Sequence, residues 1–109
     1  MPSDYCLVLC SCPSADTARQ LADALVADRH AACVSILPGL TSVYGWQGQV
    51  ESAEESILLI KTRAANFPSL ELYIKARHPY EVPEIVAIPV LVGSADYLAW
   101  LREWVDGAA

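Results

Sequence analysis

Three of the four cysteines, Cys6, Cys10 and Cys12, fall within seven positions, and Cys10-Ser11-Cys12 forms a C-x-C pair. On an extended strand, residues two apart point to the same face. The thiols of Cys10 and Cys12 would therefore lie together, on one side with Cys6. Soft thiolates suit Cu(I) and Zn. The plainer role for these side chains is as small hydrophobes in a core. Three cysteines on one strand are also poor geometry for a disulfide framework. The densest polar stretch is His78-Pro79-Tyr80-Glu81-Val82-Pro83-Glu84. An imidazole and two carboxylates there can bind a cation or move a proton. Equally, two prolines make the stretch a rigid connection between a helix and a strand. Tyr44, Trp46 and Lys61 form a second polar-aromatic set. Trp46 beside a turn reads as an anchor at an interface between chains.

Much other chemistry is excluded. The sequence contains no P-loop, no dinucleotide-binding glycine pattern, no nucleophile elbow and no HExxH. His30 and His78 are the only histidines, so one chain cannot build a histidine-rich metal centre. A small enzyme using His78 and Glu84 would lack a triad and a cofactor motif. The net charge is −6, from 13 acids and 7 bases. That is the wrong sign for nucleic acid or for an anionic membrane surface.

These residues need elements to position them. Tyr5 to Cys10 is a short apolar run and predicts a strand. Ser14 is a candidate N-cap for a helix carrying Ala18, Leu21, Ala22 and Leu25 at helical spacing. Cys33 to Tyr44 is β-rich, with a bulge or bend at Pro38-Gly39. Trp46-Gln47-Gly48-Gln49 predicts a hairpin turn, and Val50 to Thr62 a returning strand. A second helix is expected from near Asn66, stopped by Pro79. The residue before proline is pushed out of the helical region, so His78 should leave the helix for a loop. Ile85 to Val92 predicts the last strand, with Pro89 tolerated if that strand is an edge. Ser94 caps a third helix with Tyr97, Trp100, Leu101, Trp104 and Val105 on one stripe, ended by Gly107.

The order β-α-β-β-α-β plus a helix predicts an α+β, ferredoxin-like sandwich occupying residues 1–109 as one domain. Hydrophobic residues make up 54% of the chain and charged residues 18%, a surface poor in charge. Ile57-Leu58-Leu59-Ile60 and Ile85-Val86-Ala87-Ile88 do not alternate apolar and polar. A sheet covered by helices on one face should alternate. The hairpin strands, about 12 residues each, also exceed the usual 5–6 and overhang the first strand. An oligomer is expected, its subunits covering each other's bare sheet faces, unless a loop or the third helix covers that face. Met1-Pro2-Ser3-Asp4 has no basic region before the apolar run, so no signal peptide is expected. No apolar segment reads as a membrane span. A cytoplasmic location with reduced cysteines follows.

The motifs together resemble the CutA divalent-cation tolerance family, from Leu7 to Trp104. The resemblance rests on Leu9-Cys10-Ser11-Cys12-Pro13, Ala31-Ala32-Cys33, Ile36-Leu37-Pro38-Gly39, Ser42-Val43-Tyr44-Gly45-Trp46-Gln47-Gly48, Glu55, Ile60-Lys61-Thr62, His78-Pro79-Tyr80, Pro83-Glu84-Ile85, Pro89-Val90 and Tyr97-Leu98-Ala99-Trp100-Leu101. It implies a cytoplasmic ferredoxin-like homotrimer, assembled through the long hairpin strands and linked to tolerance of copper and other divalent ions. It does not imply an enzyme, and no cofactor is expected to be required, copper being an ion that the chain can take up. The family's copper ligands are a thiol ending the first strand and two adjacent histidines before Pro-Tyr. Cys10 matches the thiol and His78 the second histidine. Arg77 stands at the first histidine's place, and a guanidinium cannot ligate, so the resemblance implies weak copper binding at Cys10 and His78. Fold analogy leaves open a signalling trimer like the nitrogen-regulatory PII proteins, with a small molecule in clefts between subunits.

Overall fold

The computed structural model describes residues 3–107; Met1 and Pro2, half of the segment read for a leader, lie outside the described residues. The elements run β1 (Tyr5–Cys12), α1 (Ala15–Ala27), β2 (Cys33–Trp46), β3 (Gln49–Arg63), a 3-10 turn (Ala64–Asn66), α2 (Phe67–Arg77), β4 (Ile85–Pro89) and α3 (Ala95–Val105). The four strands form one antiparallel sheet in the order β2-β3-β1-β4. This is the ferredoxin-like arrangement that the order of elements predicts.

Local chemistry sets the boundaries. The Ser14 hydroxyl accepts from the Thr17 backbone N–H, and the Ser94 hydroxyl from that of Tyr97, so both serines cap their helices. Gln47 and Gly48 both take positive φ, 50° and 79°, which makes the β2–β3 connection a two-residue turn of the primed type. Gly39 sits at φ 71°, where the β2–β3 register shifts between Leu37 and Leu40. That is the bulge expected at Pro38-Gly39. Several boundaries differ from expectation: β2 runs on to Trp46 and β3 spans Gln49–Arg63, so that only Gln47 and Gly48 form the turn. β1 continues to Cys12, because Ser11 and Cys12 pair with Ile57 and Ser56 on the long β3. β4 stops at Pro89, which the edge position of the strand tolerates; one further bond runs from the Val90 N–H to the Tyr5 carbonyl at 3.0 Å, and Leu91 and Val92 stand exposed beyond it.

Cross-strand neighbours share a face. Cys10, Leu58, Ile36 and Ile85 form one row across the sheet, and Val8, Ile60, Val34 and Ala87 the next. These rows meet Leu21 and Leu25 of α1 and Leu70 and Ile74 of α2 in the core. The opposite face carries Leu9, Leu59 and Val86 in one row, with Leu7 and Ile88 beside it. Val86 is 50% and Ile88 43% exposed. α3 covers only the Tyr5 end, where Leu101, Val105 and Trp104 pack with Ala32. Trp104 Nε1 donates to the Val26 carbonyl, and the Arg29 guanidinium lies 3.9 Å from its ring centroid. The third helix therefore does not relieve the non-alternating strands of their bare face.

Candidate metal centre

The extension of β1 to Cys12 brings the C-x-C pair together. Both cysteines are fully buried on the helix side of the sheet. α2 ends at Arg77, and His78 follows with extended backbone, as the following proline requires. The side chain does not point into an open loop. It turns inward against the end of β1, 9% exposed. The sulfurs of Cys10 and Cys12 and a ring nitrogen of His78 all lie within 4.8 Å of one another. Cys10 and His78, the two ligands that the resemblance implies, are thus neighbours. Cys12, the other half of the C-x-C pair, completes the group, and strand alternation is the sequence signal that places it there. Cys6, on the same face, remains a core residue.

His78 is fixed by both ring nitrogens. The Tyr80 backbone N–H donates to Nδ1 at 3.1 Å, and Nε2 stands 2.6 Å from the Ser11 carbonyl oxygen. An accepting Nδ1 and a donating Nε2 define the neutral Nε2–H tautomer. Binding a metal through either nitrogen displaces one of these bonds. The two thiols titrate as a pair. Hydrogen bonding to Cys12, then burial, raises the Cys10 pKa, while the same hydrogen bond lowers that of Cys12. Cys12 is the thiol that ionises first.

Arg77 does not join the group. Its guanidinium lies 3.5 Å from the Tyr73 ring centroid and donates to the Tyr73 carbonyl. On the other side of Ser11 lies a cleft of about 670 Å³, lined by Tyr44, Trp46, Glu55, Tyr80 and Glu84 among others. The Tyr80 hydroxyl donates to buried Glu55 at 2.7 Å. Burial, then this bond, raises the Tyr80 pKa. Glu84 lines the cleft while His78 does not, so the structure does not assemble them as an acid–base pair there.

The model of the family described as CutA1 divalent ion tolerance protein matches residues 6–104. The chain belongs to the CutA1 family. The Divalent-cation tolerance protein CutA of Thermus thermophilus is 55% identical over 89% of this chain and 94% of its own length. Protein CutA, chloroplastic, of Arabidopsis thaliana is 42% identical over 88% of this chain, which spans only 53% of that relative. The crystal structure of CutA from Xylella fastidiosa superposes with a TM-score of 0.92 at 41% identity, covering 95% of this chain and all of that one. None of these CutA names is that of an enzyme. Among the described residues no helix is long and apolar enough to cross a membrane.

Proposed function

We propose that the chain works as a cytoplasmic, non-catalytic homotrimer in tolerance of metal ions, taking up copper weakly at Cys10 and His78. The observation that carries this reading is the meeting of a buried thiol and an imidazole from segments 68 positions apart, within bonding range of one ion. The donor set fits the ion, because thiolate and imidazole are soft and borderline ligands that favour copper over hard cations. Cys10 would supply the thiolate and His78 the nitrogen, with Tyr80 and Ser11 holding the ring in place until the ion arrives. The trimer is supported by the bare sheet face of Leu9, Leu59, Val86 and Ile88 and by hairpin strands of 14 and 15 residues that overhang it. Four free thiols suit a reducing compartment. Competition titration of the reduced protein with copper tests the binding. Cys10→Ser should lose affinity, and a titration unchanged by it would remove the site.

The cleft beside Ser11 favours a second reading, a small molecule held by a signalling trimer. Its walls combine aromatic faces at Tyr44 and Trp46 with the polar pair Tyr80–Glu55. A thermal-shift panel of metals and nucleotides separates the two, since a ligand binding only the native state raises the melting temperature.

A further inference from the structure

We propose that Cys12 is a metal ligand together with Cys10 and His78, so that the end of β1 is a site with two thiols and one imidazole that selects a monovalent soft ion, Cu(I), over divalent ions. This rests on the reading of Cys10 and His78 as copper-binding and adds the residue that sets the selectivity.

The placement follows from the strand. Cys10 and Cys12 lie two apart on β1, pair with Leu58 and Ser56 on β3, and turn to the same buried side. All three donor atoms lie within 4.8 Å of one another. Around an ion with metal–sulfur bonds of about 2.3 Å, a trigonal arrangement separates its ligands by roughly 4 Å. The side chains need close by less than about 1 Å to reach that spacing, within the range of χ1 adjustment.

The number and type of donors decide the ion. Among the described residues no fourth Cys, His, Asp or Glu joins the group. Zinc wants about four ligands, and magnesium keeps several waters. Cys10 and Cys12 are fully buried, with no room at their sulfurs for a hydration shell. Cu(I) accepts low coordination by soft sulfur. Each ring nitrogen of His78 already has a hydrogen-bond partner, whereas the thiols hold only weak bonds, such as Cys10 Sγ to the Ser11 carbonyl at 3.8 Å. The two sulfurs are therefore the donors that give up the weakest hydrogen bonds to an arriving ion. Cysteine binds as thiolate, so loading releases thiol protons to the buffer.

The test titrates the reduced, full-length protein with Cu(I) under anaerobic conditions, against a chromophoric Cu(I) chelator, with Zn(II) in parallel. The parent should bind one Cu(I) per chain, and Cys12→Ser should weaken it at least tenfold while zinc binding stays weak. Cys12→Ala, an apolar replacement at a buried position, serves as a second variant should the serine perturb folding. X-ray absorption of the loaded parent should count two sulfur neighbours per copper. If Cys12→Ser and Cys12→Ala bind like the parent while Cys10→Ser fails, Cys12 is no ligand and the proposal is overturned, with the Cys10–His78 reading intact. If Cys10→Ser also binds like the parent, the underlying reading falls with it. Zinc bound more tightly than Cu(I), relative to cysteine-site reference peptides, would overturn the selectivity.

Discussion

Nε2 of His78 lies 2.6 Å from the carbonyl oxygen of Ser11, 67 positions earlier and midway between the two clustered cysteines. That bond joins the segment after α2 to the end of β1. The same imidazole receives the Tyr80 backbone N–H on its other nitrogen. One side chain thus closes the fold at the place where it would also hold an ion. In metal-free protein, His78→Ala should leave a buried carbonyl and an amide without their partner. A cost of about 2 kcal/mol is expected. Urea unfolding in the presence of a chelator measures it. An unchanged midpoint would show that His78 serves the metal alone.

Arg77→His should strengthen copper binding. The present guanidinium is held on the Tyr73 ring and contributes no donor to the group. A histidine there adds a second imidazole one position from His78. Competition titration should show a gain of roughly tenfold, the effect of about 1.4 kcal/mol. An imidazole that stays stacked on Tyr73 would leave the affinity where it was.

Most of the architecture could be read from the chain because its local signals agree. Ser14 and Ser94 mark helix starts, Pro79 marks a stop, and Gln47-Gly48 marks a tight turn. The end of β1 could not be placed so well, since Ser11 and Cys12 become strand only through pairing with Ile57 and Ser56. The site was legible in part. Strand period two put Cys10 and Cys12 on one side, and proline geometry freed His78 from the helix. That His78 folds inward rather than outward depends on two backbone partners, at Ser11 and Tyr80, that no local pattern announces. The doubly apolar strands signalled a bare face, and Val86 and Ile88 are exposed on it.

The bare face predicts assembly. Light scattering coupled to size exclusion should report three times the chain mass at micromolar concentration. Burying a valine or isoleucine side chain is worth about 1.5–3 kcal/mol, so Val86→Asp should break the assembly by placing a charge in an apolar contact. A monomer peak for the parent would contradict the trimer.

Trp46 ends β2 at the tip of the overhanging hairpin, 41% exposed in the single chain. As an anchor in a neighbouring subunit it would contribute about 2 kcal/mol or more. Trp46→Ala should lower the melting temperature and shift the oligomer toward smaller species on dilution. The same mass and melting curve as the parent would leave Trp46 as a wall of the cleft and nothing more.

Tyr80 predicts an alkaline limit to stability. Its hydroxyl is buried against Glu55, and both burial and the hydrogen bond favour the protonated form. The unfolded tyrosine ionises near pH 10, below the folded one. The folded state thus holds a proton that the unfolded state releases, and stability falls where that holds. The contribution is whole below about pH 10 and is lost as pH rises toward the folded value. Tyr80→Phe removes the hydroxyl and leaves Glu55 without its partner, costing about 1 kcal/mol at pH 8. Above pH 10 the difference between parent and variant should shrink, because the parent loses what the variant never had. Tyr73 and Tyr97 are also shifted upward and remain in both proteins, so the comparison isolates Tyr80. Unfolding free energies at pH 8, 10 and 11 decide the matter. A gap that stays constant across this range would mean that the Tyr80–Glu55 bond does not set the alkaline limit.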